Sequence, residues 1–242
     1  MRQRPIKPCV LCRKERPLCD SHLIPASALR LIRARQERNP NPVNVSDTGH
    51  YTTSKPYKDY LLCEDCEKRF AARGEKWMSQ NWYRGRGCFK LSEALQRSTP
   101  AVLLDDNTQF YRGASIEEIE TDKLVYFGLS VIWRAGVNRW SDDHRTINID
   151  LGPYLEPLRL FLLDETPFPR SMLLAVRVSS LTDYVPSVNY PESRREAICR
   201  YHGFGVLGVY FVLFVGKQIH VDLPIILRHL KSVLSRSPRV SI

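Results

Sequence analysis

Two Cys-x-x-Cys pairs, Cys9-Val10-Leu11-Cys12 and Cys63-Glu64-Asp65-Cys66, constrain the fold of this chain more than any other feature. Each pair can present two thiolates from one tight turn, and four thiolates complete a tetrahedral zinc site with no open position. Cys9, Cys12, Cys63 and Cys66 are therefore expected to hold a structural zinc ion. Fifty residues separate Cys12 from Cys63, so a folded insert must stand between the two halves of the site. The chain has seven cysteines, an odd number, and no apolar stretch follows its basic start. Both points favour reduced thiols holding metal over a disulfide framework. Cys19, Cys88 and Cys199 have no partner at ligand spacing and are read as buried thiols.

The charge is placed as unevenly as the cysteines. Residues 1–100 carry 20 Lys and Arg against 10 Asp and Glu, whereas residues 101–242 carry 16 against 16, so the formal charge of +10 belongs entirely to the first part. A basic excess gathered around the cysteine pairs implies a polyanionic partner there, with nucleic acid the commonest candidate. Apolar residues at 43% and charged residues at 26% are globular proportions. The longest apolar run, Phe204 to Val215, is interrupted by two glycines. It falls short of the roughly 20 residues that a spanning helix needs. A cytoplasmic protein without a membrane span is the expectation.

Two units follow, 1–97 and 101–242, with a break at Ser98-Thr99-Pro100 where the charge balance changes. In the first, a knuckle turn leads into a hairpin, residues 26–38 form a helix with a basic face, and a second helix opens at the Cys63 pair and runs to Met78. Glu64, Asp65 and Glu67 suit the start of that helix, where its dipole is positive. The second unit reads as α+β. It has a helix over 121–137 apolar around most of its circumference, a shorter helix at 154–163 begun by Pro153, strands at 173–178 and within 204–223, and a closing helix at 225–235. Gly216-Lys217 is the expected hairpin turn between strands 210–215 and 218–221. Gly203-Phe204-Gly205-Val206-Leu207-Gly208 matches a dinucleotide-binding fingerprint in its letters only, because β-forming residues follow where a helix is required. Asp142-Asp143 with His144 reads as a polar surface loop.

Inside the insert lies Cys19-Asp20-Ser21-His22-Leu23-Ile24-Pro25. A Cys-x-x-Cys pair, then His-x-x-Pro, then Leu-Cys-x-x-Cys at a helix start resembles the zinc-containing HNH nucleases over residues 6–80. The resemblance implies a treble-clef, ββα-metal fold for the first unit, and a metal-dependent endonuclease cleaving nucleic acid, with DNA the favoured substrate and the choice between DNA and RNA open. It makes His22 the general base that takes a proton from the attacking water, with a magnesium or manganese ion binding the scissile phosphate. Asp20 and Glu67 are the candidate acidic partners of that ion. The chain departs from the family at three places. Ser21 precedes the histidine where an acid is common, Lys58 and Asp59 stand where an asparagine is usual, and Glu67 replaces the terminal histidine. Glutamate is a good ligand for a hard cation.

Each residue also has a plainer reading. His22 can be a hydrogen-bonded hairpin histidine, Glu67 a helix-dipole acid, and Asp20 and Asp59 solvated acids. Arg30, Arg33, Arg35, Arg38, Arg84, Arg86 and Lys90 are the candidate phosphate contacts, which would give salt-dependent affinity without sequence preference. Tyr51, Tyr57, Tyr60, Trp77, Trp82 and Tyr83 interleave with this charge and are either core or base-stacking groups. The second unit would regulate, bind a partner protein or form a homo-oligomer, in the manner of a bacterial or phage defence protein. The alternative function is a catalytically silent treble-clef module that binds nucleic acid and recruits a partner.

Overall fold

The computed structural model describes residues 4–35, 43–46, 49–52, 56–85, 88–105, 108–113, 116–142, 145–179, 187–195, 200–217 and 219, with 35, 43–46, 49–52, 103–105 and 108 in backbone only. The protein is α+β. Its first sheet is antiparallel, in the order β1 (Ile6–Pro8), β2 (Glu15–His22), β5 (Lys58–Cys63). Helix α1 (Ala26–Arg35) and the hairpin of β3 (Val43–Ser46) and β4 (Gly49–Thr52) form the insert between β2 and β5. The expected continuation of α1 to residue 38 lies outside the described residues.

The turn between β1 and β2 is the first knuckle. Arg13 N donates to Cys9 O at 2.7 Å and Cys9 N to Lys14 O at 2.9 Å, and Arg13 adopts a left-handed φ of 62° to close it. Residues 64–81 then form one helical run: α2 (Glu64–Phe70), a π-helical turn (Ala71–Glu75) and α3 (Lys76–Asn81). The π turn lies where Gly74 meets the longest helix, since a Cβ on Gly74 would come within 2.8 Å of Phe127 N. That close approach requires glycine.

Helix α4 (Lys90–Arg97) ends where the sequence places a break, and β6 (Val102–Asp105) pairs with β7 (Thr108–Phe110) beyond it. The central helix α5 covers Thr121–Val137, the range its apolar pattern predicts, and is buried on nearly all sides from Leu124 to Ala135. The short pair β8 (Trp140–Ser141) and β9 (Thr146–Ile147) follows, then a 3₁₀ turn (Gly152–Tyr154) with proline near its start, which leads into α6 (Leu155–Leu162).

The second sheet is antiparallel, in the order β10-β13-β12-β11, from β10 (Met172–Val178), β11 (Val188–Arg195), β12 (Arg200–Val206) and β13 (Val209–Val215). Its β12–β13 hairpin corrects the expected turn. The two-residue loop is Leu207-Gly208, with φ values of 47° and 84°, as a type I′ turn demands. Gln218 and residues 220–242, including the expected last strand and closing helix, lie outside the described residues. Gly203, Gly205 and Gly208 belong to this hairpin and no helix follows them directly.

One hydrophobic cluster runs from Cys9 to Val215 and crosses the break at residues 98–100. Edge-to-face ring pairs join the two sides: Phe70 with Trp133, Trp82 with Phe127, and Tyr57 with Tyr190. Among the described residues no helix is long and apolar enough to cross a membrane.

Candidate metal centre and the His22 hairpin

Cys9 and Cys12 come from the first knuckle, Cys63 from the last position of β5 and Cys66 from the first turn of α2. Their four sulfur atoms all lie within 4.8 Å of one another and could hold a metal ion. A tetrahedral ion with Zn–S bonds of about 2.3 Å needs sulfurs about 3.8 Å apart. Cys12 Sγ and Cys63 Sγ are separated by 3.8 Å. The thiols also act strongly on one another. Hydrogen bonding from Cys66 draws the Cys9 thiol down to about 4, whereas Cys66 is pushed far up chiefly by that same bond, with burial adding to it, and burial raises Cys63. A divalent ion at this point would favour the thiolate form of its ligands.

The cluster is braced from the far half of the chain. Arg159 of α6 donates from Nη1 to Leu11 O at 2.6 Å, and Glu156 accepts from Arg13 at 2.6 Å. Arg69 and Arg73 both donate to Asp164 at 2.7 Å.

His22 ends β2 opposite Lys58, at the other end of the β2–β5 pair from Cys63. A register shift between Cys19 and Asp20 turns Ser21 inward, leaving Asp20 and His22 on the opposite face of the strand. Ser21 is buried; its hydroxyl donates to Glu67 Oε1 and accepts from Leu62 N at 3.1 Å. Burial holds the Glu67 carboxyl above the ordinary range. Asp20 pairs with Lys58 across the strands at 2.5 Å. Asp59 accepts from Tyr60 N at 2.8 Å and from Asn138 Nδ2 at 3.2 Å. The His22 ring is half-buried, and burial lowers its pKa in spite of the nearby Asp20 carboxylate. Near pH 7 the imidazole is therefore neutral and able to accept a proton.

Arg134, Glu75 and Asn138 also reach this neighbourhood, and no motif marks any of them. Arg134 is buried and donates from Nη1 to His22 O at 2.6 Å and from Nη2 to Glu75 Oε1 at 2.5 Å. The available signal was slight: an arginine inside a helix otherwise apolar all round is unusual without a partner.

The candidate phosphate contacts are spread out. Arg30 is exposed and Arg33 half-buried on α1, while Arg84 and Lys90 are exposed around the turn that leads into α4. Arg35 is described in backbone only; Arg38 and Arg86 lie outside the described residues. Tyr57, Trp77, Trp82 and Tyr83 are core side chains, whereas Tyr60 is exposed; nothing is described of the Tyr51 side chain. Two thiols differ from expectation. Cys88 is exposed because its backbone closes the turn with Arg84 and Gly85, and Cys19 is half-buried beside Arg4. Cys199, Asp143 and His144 lie outside the described residues, and Asp142 Oδ1 accepts from Arg145 N in a turn.

Set against protein-family models, curated proteins and solved structures, the chain matches none.

Proposed function

We propose that this chain is a metal-dependent HNH-type endonuclease that hydrolyses phosphodiester bonds in nucleic acid, with DNA the favoured substrate. The observation that carries the reading is that one strand joins the His22 segment to the start of the helix that bears Cys66. The β2 segment ending in Ser21-His22 is bonded to Glu67, which lies one residue past Cys66, beside four convergent sulfurs. A knuckle, a hairpin and a helix start sharing one ion constitute a treble clef, and zinc is the ion that four thiolates fit best.

In this reading His22 accepts the proton of the attacking water, a role that its burial-lowered pKa suits at neutral pH. Asp20, on the same face of β2 as His22, supplies a carboxylate oxygen for a magnesium or manganese ion after exchanging its present partner Lys58, and Glu67, held by Ser21 on the other face, joins it only after leaving that hydroxyl. Such an ion, when bound, neutralises the scissile phosphate and the leaving oxygen. Arg30, Arg33, Arg35, Arg38, Arg84, Arg86 and Lys90 hold the strand through its phosphates. Defence against foreign nucleic acid is the setting that this activity suits.

One observation favours a second reading. The Ser21 hydroxyl, at the position where an acid would serve the metal, is engaged by Glu67 and Leu62. A silent treble-clef module would bind nucleic acid without cutting it. Incubating the full chain with plasmid DNA and magnesium or manganese separates the two. Cleavage that vanishes in His22→Ala supports the nuclease, while salt-sensitive binding without any cleavage supports the module.

A further inference from the structure

Arg134 lies toward the end of α5, in the half of the chain where no motif points to chemistry. Its guanidinium is almost wholly removed from water, at 1% exposure. Nη1 donates to His22 O at 2.6 Å, Nη2 to Glu75 Oε1 at 2.5 Å, and Nε to Ser130 O at 3.3 Å. The guanidinium carbon stands 5.1 Å from the centre of the Phe70 ring. One turn later Asn138 reaches Asp59, the residue that faces Ser21 across β2 and β5. The end of α5, with the residue that follows it, thus grips both β2, which carries His22, and its neighbour β5.

Burying a cation is costly, and apolar side chains often fill such a space at no loss of stability. What an apolar side chain cannot do is bind a carbonyl and a carboxylate at a fixed angle, which the planar fork of arginine does. α5 is itself immobilised: Phe127 packs on Phe204 and Phe211 of the second sheet, and a Cβ on Gly128 would collide with the Phe211 ring at 2.5 Å. His22 is the last residue of β2, and beyond it the pairing with the β5 side continues through the single bond from Leu23 N to Tyr57 O at 3.0 Å.

We infer that Arg134 is a positioning residue for His22: by holding the His22 carbonyl and Glu75 in one fork, it fixes the base at the strand end and makes the second half of the chain part of the site. The inference rests on reading His22 as the general base. Arg134→Lys keeps the charge and loses the fork. Arg134→Met combined with Glu75→Gln removes the ion pair without leaving a buried carboxylate unpaired. In the full-length protein, amide hydrogen exchange at Leu23, whose N–H donates to Tyr57 O at 3.0 Å beside the His22 carbonyl, reports the local restraint. Plasmid cleavage with magnesium gives kcat and KM.

In both variants Leu23 exchange should accelerate while Cys63 and Phe70 stay protected and zinc content stays at wild type. Displacing a reacting group by about 1 Å costs on the order of 100-fold, so kcat should fall roughly 10- to 100-fold with KM changed less than about twofold. Wild-type Leu23 protection in either folded variant overturns the inference, and so does a loss of protection spread evenly over Leu23, Cys63 and Phe70 in both. A wild-type protein that cuts no nucleic acid defeats the nuclease reading alone. The exchange result then decides the positioning by itself, with selective loss at Leu23 supporting it and no change overturning it.

Discussion

His202 lies in the middle of the second sheet with no exposed surface, its Nδ1 2.7 Å from Ser193 Oγ and its Nε2 without a hydrogen-bond partner among the described residues. Burial drags its pKa down to about 4, from the ordinary 6.5. The unfolded chain therefore takes up a proton that the folded one refuses. The resulting stability is whole above pH 6.5 and is lost as the pH falls from there toward 4, amounting to about 3 kcal/mol. Urea unfolding of wild type and His202→Gln at pH 7.5 and pH 4.5 checks this. The wild type should lose more stability between the two by roughly that amount, and equal losses would count against the burial argument. Legibility at this scale follows chemistry that depends on spacing. Four cysteines in two tight pairs name themselves, and His22 is marked by its neighbours in sequence. Arg134 meets His22 across 112 positions of chain, a closeness that no local pattern encodes.

At the scale of elements, α5 shows what periodicity can and cannot convey. Its apolar residues mark its limits, because a helix buried on all sides leaves a continuous signal. The π turn at 71–75 leaves none, since it depends on what Gly74 meets in space. Gly74→Ala should therefore destabilise the protein although alanine favours helix. The added methyl meets the Phe127 backbone, which cannot move aside as a side chain could, and overpacking of this kind costs about 1–3 kcal/mol. A thermal scan should show the midpoint lowered by about 2–4 °C for each kcal/mol lost. An unchanged or raised midpoint would mean that the two helices separate easily there. The Leu207-Gly208 hairpin escapes a sequence reading for a related reason. Leucine is a poor indicator of a left-handed turn, so the run from Phe204 to Val215 conceals the turn within it, and Gly216 attracts the assignment instead.

At the scale of the molecule, composition divides the chain near residue 98, while packing unites it. Charge belongs to the surface and can change abruptly along a chain, but Phe70, Trp82, Phe127 and Trp133 share one interior across that break. Acids of the second half, Glu118, Glu156 and Asp164, also pair with Arg97, Arg13, Arg69 and Arg73, so part of the basic excess is neutralised within the fold. Loss of the metal should then be felt throughout. Structural zinc supplies on the order of 10 kcal/mol of folding free energy, comparable to the whole stability of a typical domain. Cys63→Ser should remove the bound metal and expose the amides of β10–β13 to exchange together with those of α2. Strands that kept wild-type protection in the metal-free variant would show that the halves fold independently.

The central claim is that this scaffold presents His22 as a base for phosphodiester hydrolysis. Its most direct test is the rate at which the full-length protein nicks supercoiled plasmid DNA with magnesium or manganese, as a function of pH, for wild type and His22→Ala. Wild type should cut, with an acid limb whose apparent pKa lies below the ordinary 6.5 because burial disfavours the imidazolium. His22→Ala should be slower by about 10²–10⁴-fold with zinc content and DNA affinity unchanged, the usual cost of losing a general base. Equal cleavage by the two proteins, or DNA bound by both and cut by neither, would contradict the account.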